Sequence, residues 1–196
     1  MRLILLFYFC FVTNLTIGQN FNTLVLAGIS TSQVSADDLS GFNKLGLKIG
    51  LGVTHRINNA TRGELSLYYL DKGSKDSESK FKIDLSYIES CWSIQKSAKG
   101  FIYEAGLLFA VLIDGATYDI YGFEDISKSS FNRYEVGGKV SAGVHLMPQL
   151  QMFWEISNTL PFWPIQEHPN GLTFNLNRGK YNSIFSISFR YLYREE

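Results

Sequence analysis

The sequence predicts an all-β fold, an eight-stranded antiparallel up-and-down transmembrane β-barrel, and three observations predict it. Apolar and polar residues alternate with period two along most of the chain, and helical periodicity is scarce. Eight such runs can be counted, most of them 9 to 14 residues long. That exceeds the ~5–6 residues of an ordinary soluble strand and suits the ~9–11 tilted residues that cross a bilayer. Finally, the links between runs alternate long and short, as extracellular loops and periplasmic turns do in such barrels.

The chain opens with Arg2, an apolar run over residues 3–12, and Thr16-Ile17-Gly18, which ends in a small residue. Ten apolar residues are too few to cross ~30 Å of hydrocarbon as a helix. The expectation is therefore a cleaved export signal over residues 1–18, with a barrel domain over residues 19–196. Removing the signal takes one cation, Arg2, from the 18 Lys and Arg, leaving 17 against 18 acidic side chains. A charge so near zero gives no reason to expect a nucleic-acid partner. Of the two cysteines only Cys91 lies beyond the signal, so no internal disulfide is available.

The runs fall at roughly 22–32, 44–54, 63–71, 81–91, 101–113, 133–146, 149–158 and 181–193. Links after the odd runs are long and polar ("QVSADDLSGFN", "DKGSKDSES", "DGATYDIYGFEDISKSSFN", "NTLPFWPIQEHPNGLTFNLNRGK"). Those after the even runs are shorter: "HRINNATR", "CWSIQKSAK" and "MPQ". An even strand count puts both termini with the short turns, on the periplasmic side, and the long loops outside the cell.

Alternation alone leaves open which face points inward. In the second run Leu45, Leu47, Ile49, Leu51 and Val53 oppose Gly46, Lys48, Gly50 and Gly52. A soluble lipocalin-like barrel would turn the leucines inward. Glycine argues the other way: Gly46, Gly50, Gly52, Gly106, Gly137 and Gly143 all share the polar face. A solvated surface has no use for glycine, which weakens a strand, whereas a crowded lumen needs the room. The polar face also carries a nearly balanced set of charges, expected as a lumen network: Lys48, Lys82, Lys139 and Arg190 with Glu64, Asp84, Glu104, Glu135 and Glu155. Unpaired charges buried there would be costly, so Lys48 is expected to pair with a lumen carboxylate such as Glu64. Aromatics near run ends (Tyr68, Tyr69, Trp92, Tyr103, Tyr134, Trp154, Tyr191, Tyr193) are placed as interfacial girdles are.

No catalytic, cofactor or metal site is expected. Gly46-x-x-x-Gly50-x-Gly52 lies inside a strand and does not open a helix, so it is no phosphate loop. Some small barrels modify lipid A with a His, a Ser and an acid. Here His145 shares a face with Ser141 but sits by a short turn, His55 lies in another turn, and His168 lies in the last loop beside Glu167. Asp37-Asp38 and Glu124-Asp125 are acidic pairs in loops, which solvation explains without a cation. Pro161, Phe162, Trp163 and Pro164 are apolar for a loop and form a candidate partner-contact segment, with packing on the rim the first reading. From Gly106 to Ile113 both faces are apolar, so Leu108, Ala110 and Leu112 should line the lumen. A dry patch there argues against an open channel.

"GISTSQVSADDLSGFNKLGLKIG" (28–50) resembles the PorT-like outer-membrane β-barrel proteins of Bacteroidota. Ser32-Gln33, Asp37-Asp38, Gly41-Phe42, Lys44, Gly46 and Gly50 match that family's pattern. "SYIES" (86–90) resembles its Tyr-Leu-Glu-Ile-Pro segment, with Ser90 and Cys91 in place of Ile and Pro. The resemblance implies an outer-membrane barrel of around eight strands and an association with type IX secretion or another outer-membrane assembly. It brings no catalytic residues.

The resulting expectation is a non-enzymatic integral outer-membrane protein, a structural or accessory subunit of a complex. Its partners would be outer-membrane lipid, lipopolysaccharide and outer-membrane proteins. A lipid A-modifying barrel enzyme and a soluble lipocalin-like carrier are the alternatives.

Overall fold

In the computed structural model, residues 21–35, 41–127, 130–167 and 179–193 are described. The proposed signal over residues 1–18, Asp37-Asp38 and His168 lie outside them. Eleven strands follow in order: β1 (Phe21–Val34), β2 (Lys44–Arg56), β3 (Thr61–Lys75), β4 (Lys82–Ala98), β5 (Phe101–Tyr118), β6 (Glu124–Ser127), β7 (Tyr134–His145), β8 (Leu150–Thr159), β9 (Gln166–Glu167), β10 (Gly179–Lys180) and β11 (Asn182–Tyr193). Eight of them form a closed antiparallel barrel, in the order β1-β2-β3-β4-β5-β7-β8-β11, with β11 pairing back onto β1. Closure leaves no barrel edge unpaired.

The short ends turn tightly. β4 continues to Ala98 and meets β5 across Lys99 and Gly100, both with positive φ (51° and 86°), as a two-residue hairpin matched to strand twist requires. The segment "CWSIQKSAK", expected as a link, is therefore mostly strand, its alternation of Trp92 and Ile94 with Ser93 and Gln95 unbroken. In the β2–β3 turn, the Asn58 side chain accepts bonds from the Ala60 and Thr61 N–H groups at 3.0 and 2.9 Å.

The long ends are more structured than polar composition suggested. Pairing of β2 with β3 stops at Lys48↔Leu70, and that of β5 with β7 at Val111↔Tyr134. Pairing of β3 with β4 runs on to Lys75↔Lys82, and that of β4 with β5 to Lys82↔Tyr118. The expected third loop is largely this extension of β5, a turn, and β6 pairing back onto Ala116–Tyr118. A bulge at Ser86/Tyr87, opposite Leu112 and Asp114, turns both Ile113 and Asp114 outward and returns Gly115 and Thr117 to the lumen side. The last loop carries the β9–β10 ribbon.

The faces sort clearly. Leu45, Leu47, Ile49, Leu51 and Val53 point outward at 37–70% exposure, while Lys48 and Gly52 between them are buried. That is the reverse of a barrel with an apolar lining in water. Two apolar clusters nevertheless lie inside. Leu24, Leu26, Tyr68, Leu70, Cys91, Leu108 and Leu192 form one. Val34, Ile83, Leu85, Tyr87, Ala110 and Leu112 form the other at the long-loop end, closed by Phe131 and Ile165.

Candidate functional site

The polar interior is built by inward-facing residues of seven strands. Arg190 on β11 is its hub: its guanidinium donates to Glu64 at 2.9 Å, to Glu104 at 2.7 Å and to Glu155 at 3.0 Å. Lys139 bridges Glu104 at 2.6 Å and Glu155 at 3.3 Å, and Lys48 reaches Glu155 at 2.7 Å. Ser186 and Ser188 donate to the same Glu155 oxygen, and the Gln95 amide donates to Glu64 at 2.6 Å. All of these charged side chains are buried, with relative exposures of 1–5%. Three cations face three carboxylates, which offsets the desolvation that an unpaired charge would carry. Lys48 thus pairs with Glu155, and Glu64 with Arg190, not with each other.

A second cluster sits nearer the long loops. Lys72 donates to both oxygens of Glu135 at 3.1 Å and also pairs with Glu89. Thr159 and Asn182 donate to Glu135 at 2.7 and 2.9 Å. Rings pave the walls: Tyr68 under the Lys48 ammonium, Tyr87 under Lys72, and Phe153 under Arg190.

Of the nine residues expected in the lumen network, Lys48, Glu64, Glu104, Glu135, Lys139, Glu155 and Arg190 point inward. Lys82 and Asp84 do not. They lie on the outer side of β4, paired with each other and, through Asp84, with Lys44 at 2.7 Å. The cause is the upper apolar cluster, which draws Ile83, Leu85 and Tyr87 inward. The outward partners of these residues then stand on the extended part of β3–β5, where Asp71, Ser86 and Asp114 are also polar. The sequence reading missed Lys72 and Glu89. Lys72 continues the Glu64, Ser66, Tyr68, Leu70 face by one more step, whereas Glu89 is masked by its apolar neighbours Ile83, Leu85, Tyr87 and Cys91. Tyr68, expected in an aromatic girdle, is inside, while Trp92, Tyr103, Tyr134, Trp154, Tyr191 and Tyr193 are on the outer wall.

At the rim, Pro161, Phe162, Trp163 and Pro164 pack on the top of β7. The Trp163 indole donates to the Tyr134 carbonyl at 3.0 Å, and the Asn132 amide donates to the Pro164 carbonyl at 2.8 Å. Ile165 follows them into the lumen and is fully buried, yet Phe162 and Trp163 keep 64% and 44% of their surface exposed. They border a groove of about 400 Å³ with Arg133, Tyr134 and Glu167. In the β3–β4 loop, bonds from the Ser79 hydroxyl and the Glu78 backbone N–H hold the Asp76 carboxyl below its ordinary range. His145 lies exposed beside the Gln151 amide, and His55 lies on the outer wall against the Phe21 ring. Among the described residues no three His, Cys, Asp or Glu side chains are grouped to hold a metal ion.

No protein-family model matches the chain, and no curated protein does. Solved structures do. The attachment invasion locus protein Ail of Yersinia pestis, in complex with the heparin analogue sucrose octasulfate, superposes with a TM-score of 0.54 at 11% identity, over 89% of this chain and 99% of Ail. Neisserial surface protein A superposes with a TM-score of 0.50 at 14% identity, over 86% of this chain and 96% of that one. At such identities the likeness is one of fold, and the fold is that of a transmembrane outer-membrane β-barrel.

Proposed function

We propose that this chain is a non-enzymatic integral outer-membrane protein, a structural or accessory subunit of a secretion or assembly complex. Its termini and short turns face the periplasm, and its long loops face outward. The observation that carries the reading is the filled lumen. Two buried ion clusters and two apolar clusters occupy the interior, where a channel or a lumen ligand would need room. Eight strands leave an interior just wide enough for side chains. What the molecule offers to others is then its outer wall and its rim. Exposed Tyr121 and Phe123 on the β5–β6 turn, with Phe162 and Trp163, supply rim aromatics of the kind enriched at interfaces. The resemblance to PorT-like proteins points the same way, toward assemblies such as type IX secretion.

Photo-crosslinkers placed at Phe162 and Tyr121 in native membranes should capture one dominant protein, retained through purification in a gentle detergent. A chain that purifies alone without crosslinks overturns the subunit reading. Lipid A from a deletion strain should have an unchanged mass spectrum, and a missing modification would overturn the non-enzymatic reading.

A further inference from the structure

The outer wall near the short turns is not uniformly bulky. Strand register sets its side chains in rows across β2, β3, β4 and β5. One row is Val53, Leu65, Trp92 and Leu107, all large and exposed. The next row toward the turns is His55, Gly63, Ile94 and Ala105, in which Gly63 and Ala105 leave the wall low. The result is a groove of about 650 Å³, almost wholly apolar, with Phe21 and His55 at one end. Its size is that of a small-molecule site.

The row beyond is Thr61, Lys96 and Tyr103, with Lys96 on the outer face directly below Ile94. Lys99 follows it on the β4–β5 turn, whereas Arg56 at the end of β2 and Arg62 at the start of β3 fall on the inward row with Gln95 and Glu104. The nearest carboxylates, Glu64 and Glu104, are buried and engaged by Arg190. Among the described residues, this end of the barrel presents cations and no exposed carboxylate beside an apolar groove.

We infer that the groove holds an acyl chain of an anionic glycerophospholipid whose headgroup phosphate is met by Lys96 and His55, with Lys99 on the adjoining turn adding positive potential. The inference rests on the membrane-barrel reading above. A plain lipid-facing wall would satisfy acyl chains anywhere. Here the low row lies within one lysine side chain of a basic rim that shows no exposed carboxylate among the described residues, so chain and headgroup are recognised by adjacent features. Each basic side chain near an anionic surface is worth about fivefold in affinity.

The test uses Trp92, which borders the groove and is 70% exposed. The full mature chain carrying Trp154→Phe and Trp163→Phe is folded into phosphatidylcholine vesicles, with folding checked by heat-modifiable migration. One tenth of the lipid is then replaced by chain-brominated phosphatidylglycerol or by equally brominated phosphatidylcholine. The phosphatidylglycerol should quench Trp92 several-fold more strongly, and Lys96→Gln should remove most of that preference. Ala105→Leu fills the groove from the outer face and should remove it as well. Equal quenching by the two lipids, or a preference untouched by both substitutions, overturns the lipid site. A groove that instead joins two copies of the chain would show as a dimer broken by Ala105→Leu, and that also overturns it. No quenching by either lipid overturns the membrane reading itself. As a second measurement, wild-type protein purified in mild detergent should retain phosphatidylglycerol about fivefold enriched over the bulk membrane, and no enrichment counts against the site.

Discussion

The Arg190 guanidinium carbon lies 3.8 Å from the centre of the Phe153 ring. That ring occupies the space a side chain at Gly143 would need, since a Cβ there would sit 2.7 Å from Phe153 Cδ1. The pair shows how the lumen is assembled: a glycine on β7 admits a ring from β8, and the ring supports a cation from β11 that three carboxylates share. Arg190→Met should therefore be severe, because it leaves Glu64, Glu104 and Glu155 buried with two lysines between them. A loss of about 3–5 kcal/mol is expected from breaking a buried ionic group on one side. Urea unfolding followed by the shift between folded and unfolded gel bands measures it. A variant as stable as the parent would mean that water reaches the cluster.

The upper cluster offers a comparison in which charge and shape separate. Lys72→Met alone strands Glu89 and Glu135 and should destabilise by several kcal/mol. Combining it with Glu89→Gln and Glu135→Gln removes the charges together and should recover most of that loss in the same unfolding assay.

Gly50→Leu should abolish folding. A Cβ at Gly50 would meet the Leu67 carbonyl oxygen at 2.3 Å and Tyr68 Cβ at 2.4 Å, and the carbonyl belongs to backbone that cannot give way without loss of pairing. Gly138→Ala is the control, since nothing lies within 4 Å of a Cβ there. Heat-modifiable migration after refolding distinguishes the two, and a folded Gly50→Leu barrel would contradict the observed register.

The rim segment divides into a structural and a presenting half. Ile165→Ala should cost about 2–5 kcal/mol, the range for truncating a fully buried aliphatic side chain. Phe162→Ala should leave unfolding almost unchanged while lowering crosslinked partner yield. Equal effects on stability would mean that Phe162 packs as the neighbouring residues do.

Purified protein in planar bilayers should show no stepwise conductance at neutral pH, because side chains fill the lumen. Stable, voltage-independent steps would refute a plugged interior.

Much of this was legible in the sequence. Along β2, β7 and β11, alternation of large apolar residues with glycine, serine and charge gave both faces correctly. There the outward side meets an apolar medium, and the inward side is polar. On the upper part of β4 the logic inverts: the lumen is apolar, the outside is polar, and period two cannot say which is which. Lys82 and Asp84 were misplaced for that reason, and Glu89 was hidden by it. Pairings inside the lumen were not legible either. Whether Lys48 meets Glu64 or Glu155 depends on barrel closure, which brings β2 and β8 face to face across 107 residues of chain.

The seam between β1 and β11 has a consequence in time. Thr23 pairs with Tyr193 and Val34 with Asn182, so closure joins segments separated by most of the chain. Contacts so distant in sequence form slowly, because loop-closure entropy is lost before pairing compensates for it. Until β11 is in place, β1 and β8 remain open edges able to pair with other chains. Arg190, carried on β11, also arrives last, so the carboxylates of β3, β5 and β8 wait for their shared cation until the barrel shuts. The final strand therefore closes the wall and neutralises the interior in one event, and a chain stopped before it should persist as an aggregation-prone open sheet.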